Sequence, residues 1–184
     1  MVYVFLADGF EEMEAVAPID ILRRLKIEVT TVGVTGEYVT GSHGITVKAD
    51  TVIDDENFDN VSAVVLPGGM PGTLNLGNNE KLCALLKKCA EEKILISALC
   101  AAPSVLGKLS ILKGREFTCY PSFEEGVNGI YKNEPLVISE KDGTVITAWG
   151  PGAAYKFGFA LAEYILKDKN AVENLKKSMM MCGE

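Results

Sequence analysis

Short runs of β-branched and other apolar residues alternate along the chain with longer stretches whose apolar positions recur at helical spacing. Val2–Leu6, Val29–Val34, Ala63–Leu66, Ile94–Ala98 and Val145–Ala148 read as strands. Helical spacing covers Glu12–Leu25, Glu80–Glu91, Ala101–Leu109 and Ala153–Lys167. Ala171–Met181 reads as a final helix, with Met179-Met180-Met181 as packing material. Strands that are apolar throughout, interleaved with helices, predict a parallel α/β sheet covered on both faces. Tyr38–Thr40 and Ile45–Lys48, joined through Gly41-Ser42-His43-Gly44, predict a small hairpin added to that sheet. A second β-rich stretch, Glu116–Cys119 and Leu136–Ser139, leads to a hairpin turn at Asp142-Gly143. No linker, repeat or low-complexity tract divides the 184 residues, so one domain over 1–184 is expected.

Ligands of an open parallel sheet bind beyond the carboxyl ends of its strands. Four strand ends here run into Ala7-Asp8-Gly9-Phe10, Pro67-Gly68-Gly69-Met70-Pro71-Gly72, Cys100-Ala101-Ala102-Pro103 and Gly150-Pro151-Gly152. Each carries glycine or a reactive side chain, and all four belong on one edge. At Cys100 a strand passes directly into a predicted helix, which demands a sharp, strained turn. Ala98, Ala101 and Ala102 leave room for it. A helix beginning at Ala101 would set free N–H groups and a positive dipole end beside the sulfur, lowering a thiol from about 8.5 toward roughly 3.5–7.5. The alternative is an inert buried cysteine. Gly68-Gly69 can present backbone N–H groups to a developing oxyanion, or form an ordinary tight turn. Glu14, in Met13-Glu14-Ala15-Val16-Ala17-Pro18, has two readings. It is a carboxyl whose proton affinity is raised in a dry pocket, or a solvated glutamate of the first helical turn. The second description suits Glu11 and Glu12. Pro18 predicts a bend that frees the Glu14 carbonyl.

Charge and cysteine usage narrow the classes. The formal charge is −7 and no basic cluster exceeds a pair, so nucleic-acid binding is not expected. The apolar N-terminus lacks a basic leader region and is interrupted at Asp8-Gly9, which argues against a signal peptide. No apolar run approaches the roughly 20 residues of a membrane span. The cytoplasm is the expected compartment. The five cysteines, Cys83, Cys89, Cys100, Cys119 and Cys182, form no CxxC pair, and His43 is the only histidine. Free thiols are expected, with no metal site and no cofactor.

The ordered set Gly9-Phe10-Glu11-Glu12-Met13-Glu14, Pro18-Ile19-Asp20, Leu66-Pro67-Gly68-Gly69, Ala98-Leu99-Cys100-Ala101-Ala102-Pro103 and Gly150-Pro151-Gly152 resembles the ThiJ/PfpI superfamily. Within it, the likeness is to the subfamily of the Parkinson-associated protein deglycase and its bacterial relatives. It runs over nearly the whole chain. The resemblance implies a flavodoxin-like three-layer α/β/α sandwich and a homodimer through the helix that carries Glu14, Ile21, Arg23, Arg24 and Leu25. It implies that Cys100 is the catalytic cysteine, that Glu14 hydrogen-bonds it, and that the N–H groups of Gly68, Gly69 and Ala101 surround a bound oxygen. Tyr120, His43, Pro151, Gly152 and Arg24 are pocket candidates on the same ground.

Tyr120 stands where the subfamily often has a histidine, and a phenol is a poor proton shuttle at neutral pH. His43 falls where some relatives place an arginine at the pocket mouth; an exposed loop histidine is the other reading. Ala101 follows Cys100 and no histidine lies downstream, so the Cys–His dyad of the protease and amidotransferase branches is missing. Three functions follow from the resemblance. One is a glutathione-independent glyoxalase or deglycase acting on methylglyoxal-type carbonyls or their early glycated adducts. Another is a redox sensor whose Cys100 becomes a sulfinate, and the third is a chaperone-like holdase.

Overall fold

The chain is described here from a computed structural model, over residues 1–140 and 142–181. The first strand, β1 (Val2–Leu6), is buried at every position, as a strand covered on both faces must be. It leads to α1 (Glu12–Arg24), then β2 (Val29–Gly33), β3 (Tyr38–Thr40), β4 (Thr46–Lys48) and β5 (Thr51–Val52). Next come β6 (Ala63–Leu66), α2 (Gly72–Asn78), α3 (Glu80–Glu91), β7 (Leu95–Leu99) and α4 (Pro103–Lys108). The remaining elements are β8 (Glu116–Phe117), β9 (Ile130–Tyr131), β10 (Val137–Ser139), β11 (Val145–Ala148), α5 (Ala154–Leu166) and α6 (Lys169–Ser178).

Seven strands form the main sheet in the order β10-β11-β7-β6-β1-β2-β5, all parallel except the β10–β11 pair. Alternate residues feed two cores. Tyr3, Phe5, Val64 and Ile96 pack with Leu82 and Leu86 of α3 and Leu106 of α4. Val2, Val4, Val65 and Leu99 pack with Ile21 of α1 and Phe157 and Leu161 of α5. The result is the three-layer flavodoxin-like sandwich expected. Two local expectations change. The β3–β4 hairpin is a separate sheet rather than an extension of the main one. Of the three methionines, Met179 and Met181 pack on the core while Met180 is 84% exposed. Cys182 lies outside the described residues.

The strand order reverses at β1. The chain runs from β1 to β2 on one side and returns to β6 on the other, so the loops leaving β1 and β6 diverge over a crevice. They interlock there: the Glu11 N–H donates to the Gly68 carbonyl (2.9 Å) and the Gly72 N–H to the Gly9 carbonyl (3.2 Å). The helix α1 starts beside them because the Glu11 carboxylate accepts the Glu14 N–H at 2.8 Å, an N-terminal cap with acids in the first turn. It runs through Pro18 as one element and packs on α5 so closely that a Cβ at Gly158 would lie 3.1 Å from Pro18 Cα.

Candidate active site

Cys100 follows the last residue of β7 and has φ +61°, a left-handed conformation that costs a non-glycine residue about 1–3 kcal/mol. Backbone bonds on two sides hold it there. Its N–H donates to the Ala148 carbonyl of β11 and its carbonyl accepts the Tyr120 N–H, both at 2.9 Å. The strained elbow is therefore as the sequence predicts. The helix is not: α4 begins at Pro103, with Pro fixing the first turn, and Ala101-Ala102 form a turn before it.

Glu14 reaches the elbow from the first turn of α1 and is completely buried. Its Oε2 accepts the Gly68 N–H at 2.8 Å, while its Oε1 is buried with no hydrogen-bond partner among the described residues. Gly150, after β11, closes the other side. A Cβ built on it would lie 3.7 Å from Glu14 Oε1, 3.8 Å from Cys100 Sγ and 3.3 Å from the Tyr120 ring. The free carboxyl oxygen, the sulfur and the phenol ring thus border one small space over Gly150.

Electrostatics couple the two acids. Burial lifts Glu14 from 4.5 to about 7, against the stabilisation its anion draws from Cys100 and the Gly68 N–H; the Glu11 charge adds to the lift. Burial, with the Glu14 charge and hydrogen bond beside it, pushes the Cys100 thiol up to about 12, while the N–H groups of Gly69 and Ala101 favour the thiolate. This corrects the expectation of a thiol lowered by a helix dipole. Desolvation and a carboxylate outweigh two amides. The pair loses one proton near neutrality and holds the second tightly, so it ionises as a unit. When Glu14 takes the remaining proton, its charge no longer opposes the sulfur, and the Gly69 and Ala101 amides face a thiolate.

Gly68 takes a different part from the one inferred. Its N–H is committed to Glu14, which leaves Gly69 and Ala101 to face the sulfur. Pro151 and Gly152 line a hollow of about 340 Å³ that Tyr120, Leu136 and Trp149 also wall. His43 is drawn elsewhere. Its backbone N–H and Nδ1 lie 2.8 and 2.9 Å from the two oxygens of Glu12, and its side chain is 71% exposed. Arg24 ends α1, paired with Asp20 at 2.6 Å and about 15 Å along the helix from Glu14, so within one chain it is not a pocket residue. Glu11 and Glu12 are not solvated either; each is 7% exposed, the first capping α1 and the second tying down the Gly41–Ile45 loop. Glu11, Glu12 and His43 bring ligand atoms within 4.8 Å of one another; Glu11 Oε2 accepts the Glu14 N–H, and Glu12 Oε2 lies 2.9 Å from His43 Nδ1.

Sequence reasoning did not single out Gly150 as the residue bordering Glu14 Oε1 and Cys100 Sγ, nor Trp149 and Leu136 as pocket walls. A glycine directly after a core strand was the available signal for the first. Nothing local marks Leu136, which arrives from the chain leading into the antiparallel edge strand.

Comparison with known proteins identifies the family. The DJ-1/PfpI family matches residues 1–164. Protein dj-1beta of Drosophila melanogaster is 38% identical over 181 residues, 97% of this chain and 95% of that one. Its crystal structure superposes with a TM-score of 0.91 at 37% identity, covering 97% and 96% of the two chains. The oxidised structure of Toxoplasma gondii DJ-1 gives a TM-score of 0.90 at 32% identity, with 97% of each chain covered. A deglycase of Thermococcus kodakarensis is 31% identical over 158 residues, 84% of this chain and 92% of that one. With a family match over most of its length and relatives alike from end to end, this chain belongs to the DJ-1/PfpI family.

Proposed function

We propose that the protein is a stress-response enzyme of the glutathione-independent glyoxalase or deglycase type, with Cys100 as nucleophile and Glu14 as proton carrier. The observation that carries this is the fully buried Glu14 carboxyl against Cys100, with Oε2 on the Gly68 N–H and Oε1 on the side of Cys100 Sγ. A carboxyl with a proton affinity near 7 and one oxygen not held by the backbone can both receive the thiol proton and return it to a substrate.

The reaction balances on this chain's own groups. Proton transfer to Glu14 leaves a thiolate, which adds to the aldehyde carbon of methylglyoxal. The new alkoxide, held by the Gly69 and Ala101 N–H groups, takes the Glu14 proton. The Glu14 carboxylate then removes the C–H proton of the former aldehyde carbon and delivers it to the neighbouring ketone carbon, while the hydroxyl proton passes to the former ketone oxygen and leaves a thioester carbonyl behind. One carbon is oxidised, the next reduced, and water cleaves the resulting thioester to lactate and free Cys100. Tyr120 can donate a hydrogen bond at the rim without shuttling protons. A deglycase of Thermococcus kodakarensis among the relatives accords with carbonyl chemistry. Purified protein should convert methylglyoxal to lactate without glutathione, and Cys100→Ala should lose more than 99% of that rate, roughly the 10²-fold or greater expected for a nucleophile. Equal rates in the two proteins would overturn the assignment.

A second reading uses the same site. The amides that face the sulfur, with a protonated Glu14, would also hold the oxygens of a sulfinate, and the structure of Toxoplasma gondii DJ-1 is of an oxidised protein. Mild peroxide should then add two oxygens at Cys100 before touching Cys83. Turnover decides between the readings.

The chain should also pair with itself. Met13 and Val16 are 57% and 51% exposed on α1, an apolar surface suited to a second copy. Light scattering at micromolar concentration should return twice the chain mass, and a single-chain mass would refute it.

A further inference from the structure

We propose that the hollow beside Cys100 is a subsite for an uncharged aromatic substituent, so that aryl α-oxoaldehydes are preferred over methylglyoxal. This rests on the Cys100–Glu14 reading above. Gly150 borders both the reacting sulfur and the hollow, and the Tyr120 ring packs beside Gly150 as a wall of that hollow, so a substrate whose aldehyde carbon meets Sγ projects its other end across Gly150 into it. The hollow, about 340 Å³, would hold roughly ten waters at their liquid volume, far more than a three-carbon substrate displaces.

Its walls state the chemistry. Tyr120 and Trp149 are aromatic, Leu136 and Pro151 apolar, and among the described residues no carboxylate, ammonium or guanidinium lines it. A phosphate or carboxylate on the substrate would lose its hydration there without a counter-charge. Trp149 keeps its indole nitrogen buried and unpartnered, so the surface it offers is aromatic carbon. Charged groups, Glu134 and Lys156, begin only in the wider depression that shares Trp149 and Leu136 as a boundary. One aromatic ring is well within the volume of the first hollow, whose lining includes neither of them. With phenylglyoxal the chemistry is unchanged: the aldehyde carbon is oxidised, the ketone carbon reduced, and water releases mandelate. Ring contacts with two aromatic walls, added to apolar burial, amount to a preference of roughly tenfold or more.

Trp149 is the chain's single tryptophan, so its fluorescence reports this hollow directly. Mandelate should quench it at a concentration at least tenfold below that needed with lactate. It should likewise protect Cys100 from iodoacetamide at tenfold lower concentration. In Trp149→Leu, and in Tyr120→Leu at a half-exposed position that tolerates change, the protection ratio should fall to threefold or less. The kcat/KM for phenylglyoxal should exceed that for methylglyoxal tenfold in the unmodified protein and by less in both variants. Equal binding of mandelate and lactate, or a ratio that survives both substitutions, would overturn the subsite while methylglyoxal turnover stood. Mandelate binding without turnover of either aldehyde would instead uphold the subsite and remove the enzymatic reading.

Discussion

Glu14→Gln should abolish catalysis and stabilise the protein. The glutamine keeps an oxygen for the Gly68 N–H and nearly the same volume, so the elbow and its packing persist. What disappears is the proton carrier. Loss of a positioned acid–base group typically costs about 10²–10⁴ in rate, and methylglyoxal turnover should fall by about a thousandfold. The stability gain comes from the same burial that tunes the acid. The folded protein holds the Glu14 proton up to about pH 7, whereas the unfolded chain releases it near 4.5. Between those values the native state binds more protons, so its stability declines as pH rises through that window. Above pH 7 the loss is complete, about 3 kcal/mol in magnitude. Glutamine has no proton to lose. Urea denaturation should show the variant more stable than the parent by up to about 3 kcal/mol at pH 8 and nearly equal to it at pH 4. Alkylation of Cys100 gives the companion test. Its rate should rise through about pH 7 in the parent, where the pair first ionises, and lose that inflection in Glu14→Gln. A variant no more stable at pH 8 than at pH 4, relative to the parent, would mean that Glu14 is not held protonated by burial.

The main strands, and the edge on which the chemistry gathers, are legible in the sequence because they rest on local pattern. β1 and β6 are unbroken apolar runs, β7 and β11 are broken only by Ser97 and Thr147, and within three residues of each strand's end comes a glycine or Cys100. The strain at Cys100 was equally legible from the abrupt end of the apolar strand, although the helix expected at Ala101 begins only at Pro103. The partnerships were not. Glu14 and Gly68 stand 54 residues apart, and which carboxylate accepts the glycine N–H depends on how α1 docks. Glu11, Glu12 and Glu14 look alike in a row of acids; only the helix phase turns Glu14 inward to the elbow and leaves Glu12 to hold the hairpin loop 31 residues away. The helix α2 escaped because Gly72-Thr73-Leu74-Asn75-Leu76-Gly77-Asn78 has the composition of a loop and is helical through the tertiary contacts of Leu76. The acidity of Cys100 was misjudged for a related reason. Dipole arguments need only neighbours in sequence, while desolvation and the Glu14 charge come from the folded surroundings.

Gly68→Ala should disable the site with a single added methyl. A Cβ there would lie 2.6 Å from Cys100 Cβ, 2.8 Å from Glu14 Oε2 and 3.0 Å from the Ala101 nitrogen. None of the three can withdraw at low cost. Cys100 is pinned by backbone bonds to Ala148 and Tyr120 at a strained φ, the Ala101 nitrogen belongs to the same turn, and Glu14 is held by the N–H of Gly68 itself. Overpacking of a rigid site costs about 1–3 kcal/mol, and this clash is with the Cys100–Ala101 turn on one side and the buried Glu14 carboxylate on the other, so the upper end of that range is expected. The functional loss should exceed the structural one. Whichever neighbour yields, either the sulfur leaves the Gly69 and Ala101 amides or the carboxyl leaves the sulfur, and both are needed for proton exchange within the pair. Turnover should fall at least a hundredfold at temperatures where circular dichroism still shows a folded chain, because a displacement of about 1 Å at reacting groups suffices for that. The Cys100 alkylation profile should separate from the parent's at the same time, losing its rise near pH 7. A Gly68→Ala protein with parental melting temperature and parental turnover would show that the close approach of α1, β6 and β7 at this point is not what holds the thiol and the carboxyl together.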